Sequence, residues 1–150
     1  MATIKQVVGA RTSLTVTGFS TLASATYVAS SVYDNTVNQP LDLMVEVTAA
    51  TTNSPAGNAQ VLVFAQASYD NSNFQTGPTS GTTATDEPLL TFLGAVQVGI
   101  TATTERKSFS VAAAYGGVLP PYVKVVLRND LGVALTTGTV ATAEISCTVA

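Results

Sequence analysis

Histidine and tryptophan are missing from this sequence, and cysteine occurs once. Without histidine the chain lacks the commonest general base at neutral pH and the commonest transition-metal ligand. One cysteine cannot close an intrachain disulfide, and with no histidine beside it a structural zinc site cannot be assembled. Cys147 falls in a strand-like C-terminal run, where a buried, unreactive thiol is expected. Charge is scarce as well, at 10% of residues against the usual ~25%. Lys and Arg number six in a chain of net charge −3. The adjacent pair Arg106–Lys107 has Glu105 beside it. No clustered basic face emerges, so nucleic acid is not an expected partner. No glycine-rich loop precedes a helix, so the phosphate-cradling motifs are absent too, and no cofactor is expected.

Long apolar runs are also wanting. The charge-free stretch from Leu89 to Ala102 is interrupted by Thr91, Gly94, Gln97 and Thr101. It falls short of the ~20 residues that span a bilayer, so no membrane is expected. Lys5 and Arg11 interrupt the start of the chain, and no apolar signal segment is expected there.

What is present is a 46% apolar share over 150 residues, enough for one domain with a substantial core. Threonine and serine replace the missing charge, and threonine favours strands. Positive mean hydropathy with few charges implies that much of the surface is covered in the working state.

Side-chain alternation then organises the chain. In Leu119–Leu135, Tyr122, Lys124, Val126 and Arg128 alternate with Val123, Val125 and Leu127, the period of a half-buried strand. Asn129, Asp130 and Gly132 supply a turn, and Val133–Leu135 are expected to return as the second arm of a hairpin. Leu41–Thr48 alternates cleanly, and Gln60–Ser68 is apolar on both faces in its first half. The two are expected side by side in one sheet. In Asp70–Pro88 an Asx-supported turn brings Phe74 back to the sheet, and Thr76–Thr85 is expected as an exposed loop with nothing to bury. Leu89–Ile100 is a strand kinked at Gly94, and Thr104–Val111 another. Ala112–Tyr115 forms a helical turn closed by Gly116 and Gly117. Val140–Val149 is the last strand. The expected fold is therefore all-β, an antiparallel two-sheet sandwich of about eight strands, with a jelly roll as one such form. Residues 1–31 read as an extended N-terminal arm or edge strands, and 32–150 as the sandwich domain. Ile4, Val7, Val8, Leu14, Val16 and Phe19 in the arm are too apolar to be left bare, which makes them the candidate interface.

The carboxylates are scattered. Asp42 and Glu46 lie four apart on one strand face, and Asp86 and Glu87 are loop neighbours. A glycosidase needs two carboxylates converging across a cleft, and these two pairs are the only hint of a hydrolase. Asp70 with Asn71 and Asn73 offers oxygens, but without the acidic spacing of a calcium loop, so a turn is expected. Tyr69, Asn71, Asn73 and Phe74 combine aromatic rings and amides in the manner of a carbohydrate site. Catalytic and metal-ligating residues are not expected, nor is enzyme activity.

Three blocks, LDLMVEVTAATTNSPAGNAQVLVFAQASYDNSNF, SVAAAYGGVLPPYVKVVLRN and NDLGVAL with the strand that follows, resemble small structural proteins of tailed bacteriophage virions. The resemblance runs from about Tyr27 to the C-terminus. GGVLPPYVKVVLRN is its distinctive motif, and the first thirty residues depart from the pattern. It implies a β-sandwich capsid decoration (cement) protein, made in the host cytoplasm and carried on the outer surface of the virion. Its implied partners are the major capsid protein and further copies of itself, as a homo-dimer or homo-trimer. A tail, collar or spike-adaptor subunit is the alternative within the virion, and a carbohydrate-binding module the alternative outside it.

Overall fold

The computed structural model describes residues 3–99 and 103–149; Ile100, where the expected strand from Leu89 ended, lies outside them. Among the described residues eleven strands form two sheets: β1 (Ile4–Val8), β2 (Thr12–Leu14), β3 (Tyr27–Ala29), β4 (Tyr33–Asp34), β5 (Asp42–Ala50), β6 (Gln60–Ser68), β7 (Ser80–Gly81), β8 (Thr91–Gln97), β9 (Glu105–Ser110), β10 (Tyr122–Asp130) and β11 (Thr137–Val149). One sheet runs β1-β11-β5-β9, with β2 also on β11. The other runs β7-β3-β10-β6-β8, with β4 also on β10. Every pairing is antiparallel.

Counting β1 with β2 and β3 with β4 as interrupted strands, the two orders are those of a jelly roll, with β7 an extra edge piece. The chain changes sheet between β2 and β3, β4 and β5, β5 and β6, β8 and β9, β9 and β10, and β10 and β11. Two expectations are corrected by this winding. The strands expected side by side, β5 and β6, lie in opposite sheets. Leu119–Leu135 is likewise no hairpin: β10 ends at Asp130, and the next strand, β11, joins the opposite sheet. The reason is the same for both. Each strand has an apolar face to bury, and pairing edge to edge would leave those faces bare, whereas arching over the core sets one against the other. Leu43, Val45 and Val47 from β5 thus meet Val61, Val63 and Val123, Val125 and Leu127 from the facing sheet. Each fully buried aliphatic chain contributes about 1.5–3 kcal/mol.

Asn129 builds the β10–β11 arch. It is completely buried, its Nδ2 donating to Leu22 O (2.7 Å) and Val133 O (2.8 Å) and its Oδ1 accepting from Leu131 N (2.9 Å). Leu131 and Leu135 fold inward beside Phe19 and Leu22 to close that end of the sandwich. At the other end, a single helical turn, α1 (Val111–Ala114), is capped by Ser110 Oγ accepting from Ala113 N. It stops as its sequence requires, with Gly116 and Gly117 at positive φ and Gly117 N bonded back to Ala112 O.

The segment 76–85 is largely exposed, as expected, and is fastened to the sheet at two points. β7 pairs with β3, Gly77 lies against Leu90, and Leu90 packs with Tyr27, Phe64 and Val126 on the outer face of the second sheet. Glu87 holds both the Tyr27 hydroxyl and Arg128 Nη1 (3.0 and 3.2 Å).

Candidate functional site

Of the expected interface residues, the structure separates two groups. Phe19 is fully buried in the core, and Leu14 and Val16 pack against it half-buried. Phe19 therefore belongs to the core of the single chain, while Leu14 and Val16 keep part of their surface exposed. Ile4, Val7 and Val8 are exposed on β1.

β1 lies antiparallel to the end of β11, with Ile4 opposite Val149, Gln6 opposite Cys147 and Val8 opposite Ile145. Directly opposed residues share a face, so Ile4, Val8, Cys147 and Val149 form one stripe. Ile4, Val8 and Val149 are 72%, 66% and 73% exposed. β5 accompanies β11 only as far as Ile145, so residues 146–149 continue with β1 as a two-stranded ribbon beyond the sandwich. Among the described residues both outer edges of that ribbon are unpaired. This also corrects the expectation for Cys147: Val140, Thr142 and Glu144 share the inner face with Val47, Val45 and Leu43, so Cys147 falls on the outer face with Ala141 and its thiol is exposed.

Beside the ribbon, the outer face of the same sheet is closed by charge. Arg11 reaches Glu46 Oε1 through Nε (2.8 Å) and Nη2 (2.7 Å), and Arg106 Nε approaches the same oxygen at 3.6 Å. Ala141 stands between Ser13 and Glu46 in the register, so the Arg11 side chain crosses β11 there and covers it.

A cavity of about 330 Å³ opens between the sheets behind β2, lined by Gly9, Leu14, Tyr33, Asn38 and Glu144. Glu144 accepts from Tyr33 OH (2.7 Å) and from Asn38 Nδ2 (3.1 Å to each oxygen), tying β11 to β4 across the gap. Burial, and then the Glu144 carboxylate, push the Tyr33 hydroxyl well above its usual pKa.

The other carboxylates each have separate work. Asp42 accepts from Ser110 Oγ (2.6 Å) and Ala112 N (2.8 Å), anchoring α1, while Glu46 pairs with arginine. Glu87 fastens the 76–90 strap, and its neighbour Asp86 precedes a 3-10 turn. Among the described residues no group of three or more Cys, Asp or Glu side chains could hold a metal ion.

The Asx turn is built as its sequence implies. Asp70 accepts from Ser72 N, Asn73 N, Asn73 Nδ2 and Ser68 Oγ, and Phe74 bridges back to Ser68. Those bonds, the Asn73 amide foremost, hold the exposed Asp70 carboxyl far below the usual carboxylate range. Tyr69, Asn73, Phe74, Gln75, Thr76 and Tyr115 surround a concavity of about 430 Å³ beside it. The sequence pointed to Tyr69, Asn73 and Phe74 from their proximity in the chain. Gln75 and Tyr115 were not legible, since Tyr115 comes from the α1 turn and meets the loop only in three dimensions. Asn71, at φ +60, serves the turn.

No family model matches this chain, and no curated protein matches its sequence.

Proposed function

We propose that this protein is a non-enzymatic structural subunit of a tailed-phage virion. In this reading it decorates and cements the capsid through contacts with further copies of itself and with the major capsid protein. The observation that carries the reading is the β1–β11 ribbon, which presents Ile4, Val8 and Val149 to solvent beside two unpaired strand edges. Open apolar edges invite strand addition, and a subunit that works inside a lattice has them covered there. β1 is also suited to pair with itself. Run antiparallel about Gln6, two copies set each Ile4 opposite a Val8 and bring no like charges face to face. The family resemblance supplies the virion context. The jelly roll is compatible with it, since the architecture recurs in viral capsids and in lectins, although a fold by itself assigns no function.

The test pairs light scattering of the purified chain with co-sedimentation on capsids assembled without it. The expected result is a homo-oligomer that binds shells stoichiometrically. The variant Ile4→Lys with Val8→Lys, at two positions largely exposed in the single chain, should be monomeric, fold normally and leave the shells bare. A wild-type chain that stays monomeric and does not bind shells would overturn the reading.

A further inference from the structure

We propose that the concavity at the Tyr69 turn is a binding site for a neutral carbohydrate, separate from the ribbon and from the structural role of the subunit. Its volume, about 430 Å³, has room for one or two pyranose rings. Tyr69, Phe74 and Tyr115 bring aromatic surface to its walls and Asn73 and Thr76 an amide and a hydroxyl, while the Gln75 side chain is engaged in bracing the wall. A pyranose has the same two halves, a C–H face that stacks on a ring and equatorial hydroxyls that pair with amides. Tyr69 is the telling residue. Its side chain is 81% exposed, so it contributes little to the core, and its ring is free to take a ligand.

The ligand is neutral because the walls carry no charged side chain and the nearby charges are already engaged. The Asp70 carboxylate is occupied by four donors from its own turn. The Lys124 ammonium sits over the Phe74 ring, 3.9 Å from its centroid. The site is also rigid before any ligand arrives. Gln75 Oε1 accepts from Ala67 N (2.9 Å) and Tyr115 OH (2.6 Å), and Gln66 Nε2 donates to the Gln75 carbonyl (2.5 Å). Those bonds, with the Asx turn, fix the walls, so little ordering has to be offset on binding. A proline-rich peptide can also stack on tyrosine, but an extended peptide needs a long groove. A short concavity with side-chain amides suits a sugar. A single site this open binds weakly, and repetition over an assembly would raise its avidity.

The experiment is a titration of the 15N-labelled full-length protein, followed by amide shifts. The probes are galactose, N-acetylglucosamine, lactose and chitobiose, with a proline decapeptide as the competing class. At least one sugar should shift the Tyr69, Asn73 and Gln75 amides saturably in the millimolar range. Tyr69→Ala should weaken that binding about tenfold while leaving the rest of the spectrum in place, and Tyr69→Phe should retain it. The proposal is overturned by the absence of a saturable shift with any sugar, by shifts elsewhere on the surface, or by the peptide alone acting at these amides. Wild-type affinity in Tyr69→Ala would overturn it equally.

Discussion

Phe109 of β9 occupies the space that a side chain at Gly94 of β8 would need: a Cβ at position 94 would stand 2.5 Å from Phe109 Cε1. Gly94 also has φ +150, at the point where the β6–β8 register slips by one residue. Gly94→Ala therefore combines a steric clash with backbone strain and should cost about 2–4 kcal/mol. Urea unfolding checks it, as a lower midpoint at unchanged slope. Shortening the obstacle with Phe109→Leu in the same chain should recover part of the loss. Strict additivity of the two changes would mean that the ring is not what position 94 meets.

Asn129 is the polar centre of the β10–β11 arch, and its loss should be felt more than that of a core methyl group. Asn129→Ala removes the partners of Leu131 N and Val133 O in a site closed to water, at a cost of about 3 kcal/mol. Asn129→Asp should be at least as damaging at neutral pH, because a carboxylate cannot donate to Leu22 O or Val133 O and would be buried charged. Thermal unfolding of both variants measures this, and an Asp variant as stable as wild type would show the arch to be held by other contacts.

These two residues mark where the sequence could and could not be read. Alternation identified the strands because period two is local: Leu43, Val45 and Val47 declare an inward face wherever the strand ends up. The kink at Gly94 and the glycine stop after α1 were legible for the same reason. Sheet membership was not. A stretch such as Asn129–Gly132 serves a hairpin or an arch equally well, and what decides is Leu131 and Leu135 turning into a core made by distant segments. Cys147 misled because alternation separates two faces without saying which is inner: Val140, Thr142 and Glu144 lie with the buried Val47, Val45 and Leu43, and Cys147 lies on the other face. Residues 76–85 are largely exposed as expected, but their pairing with β3 and the contact of Gly77 with Leu90 were not legible, because those partners lie elsewhere in the chain. At the candidate site Tyr69 and Phe74 were visible as neighbours, but Tyr115 required the fold.

Cys147 gives a direct probe of the ribbon. With its thiol exposed in the single chain, it should react with a disulfide reagent without denaturant, releasing one equivalent per chain. If copies pack face to face over the stripe that holds Ile4, Val8 and Cys147, the thiol is covered on assembly. The rate should then fall as protein concentration rises, and Ile4→Lys with Val8→Lys should keep it fast throughout. A rate independent of concentration in an oligomeric wild type would place the contact elsewhere.

The Tyr27 hydroxyl, donating to Glu87 beside Arg128, should make the fold sensitive to alkali. Burial, and then the hydrogen bond and negative charge of Glu87, push its pKa from 10.0 up to about 12, while Arg128 pulls modestly the other way. Below pH 10 the phenol is protonated in both folded and unfolded chains, and its contribution to stability is fully present. Between pH 10 and about 12 the unfolded chain releases the proton while the folded one keeps it, so the unfolded state is favoured progressively. The slope from this one group cannot exceed about 1.4 kcal/mol per pH unit. Tyr33 and Tyr115, also raised by burial, act in the same direction and steepen the total. Tyr27→Phe isolates the first contribution. The variant should be less stable than wild type near neutrality, having lost the bond to Glu87, and the gap should narrow as pH climbs through that window. Urea midpoints across the range measure it, and a gap that stays constant would mean that Tyr27 ionises as freely folded as unfolded.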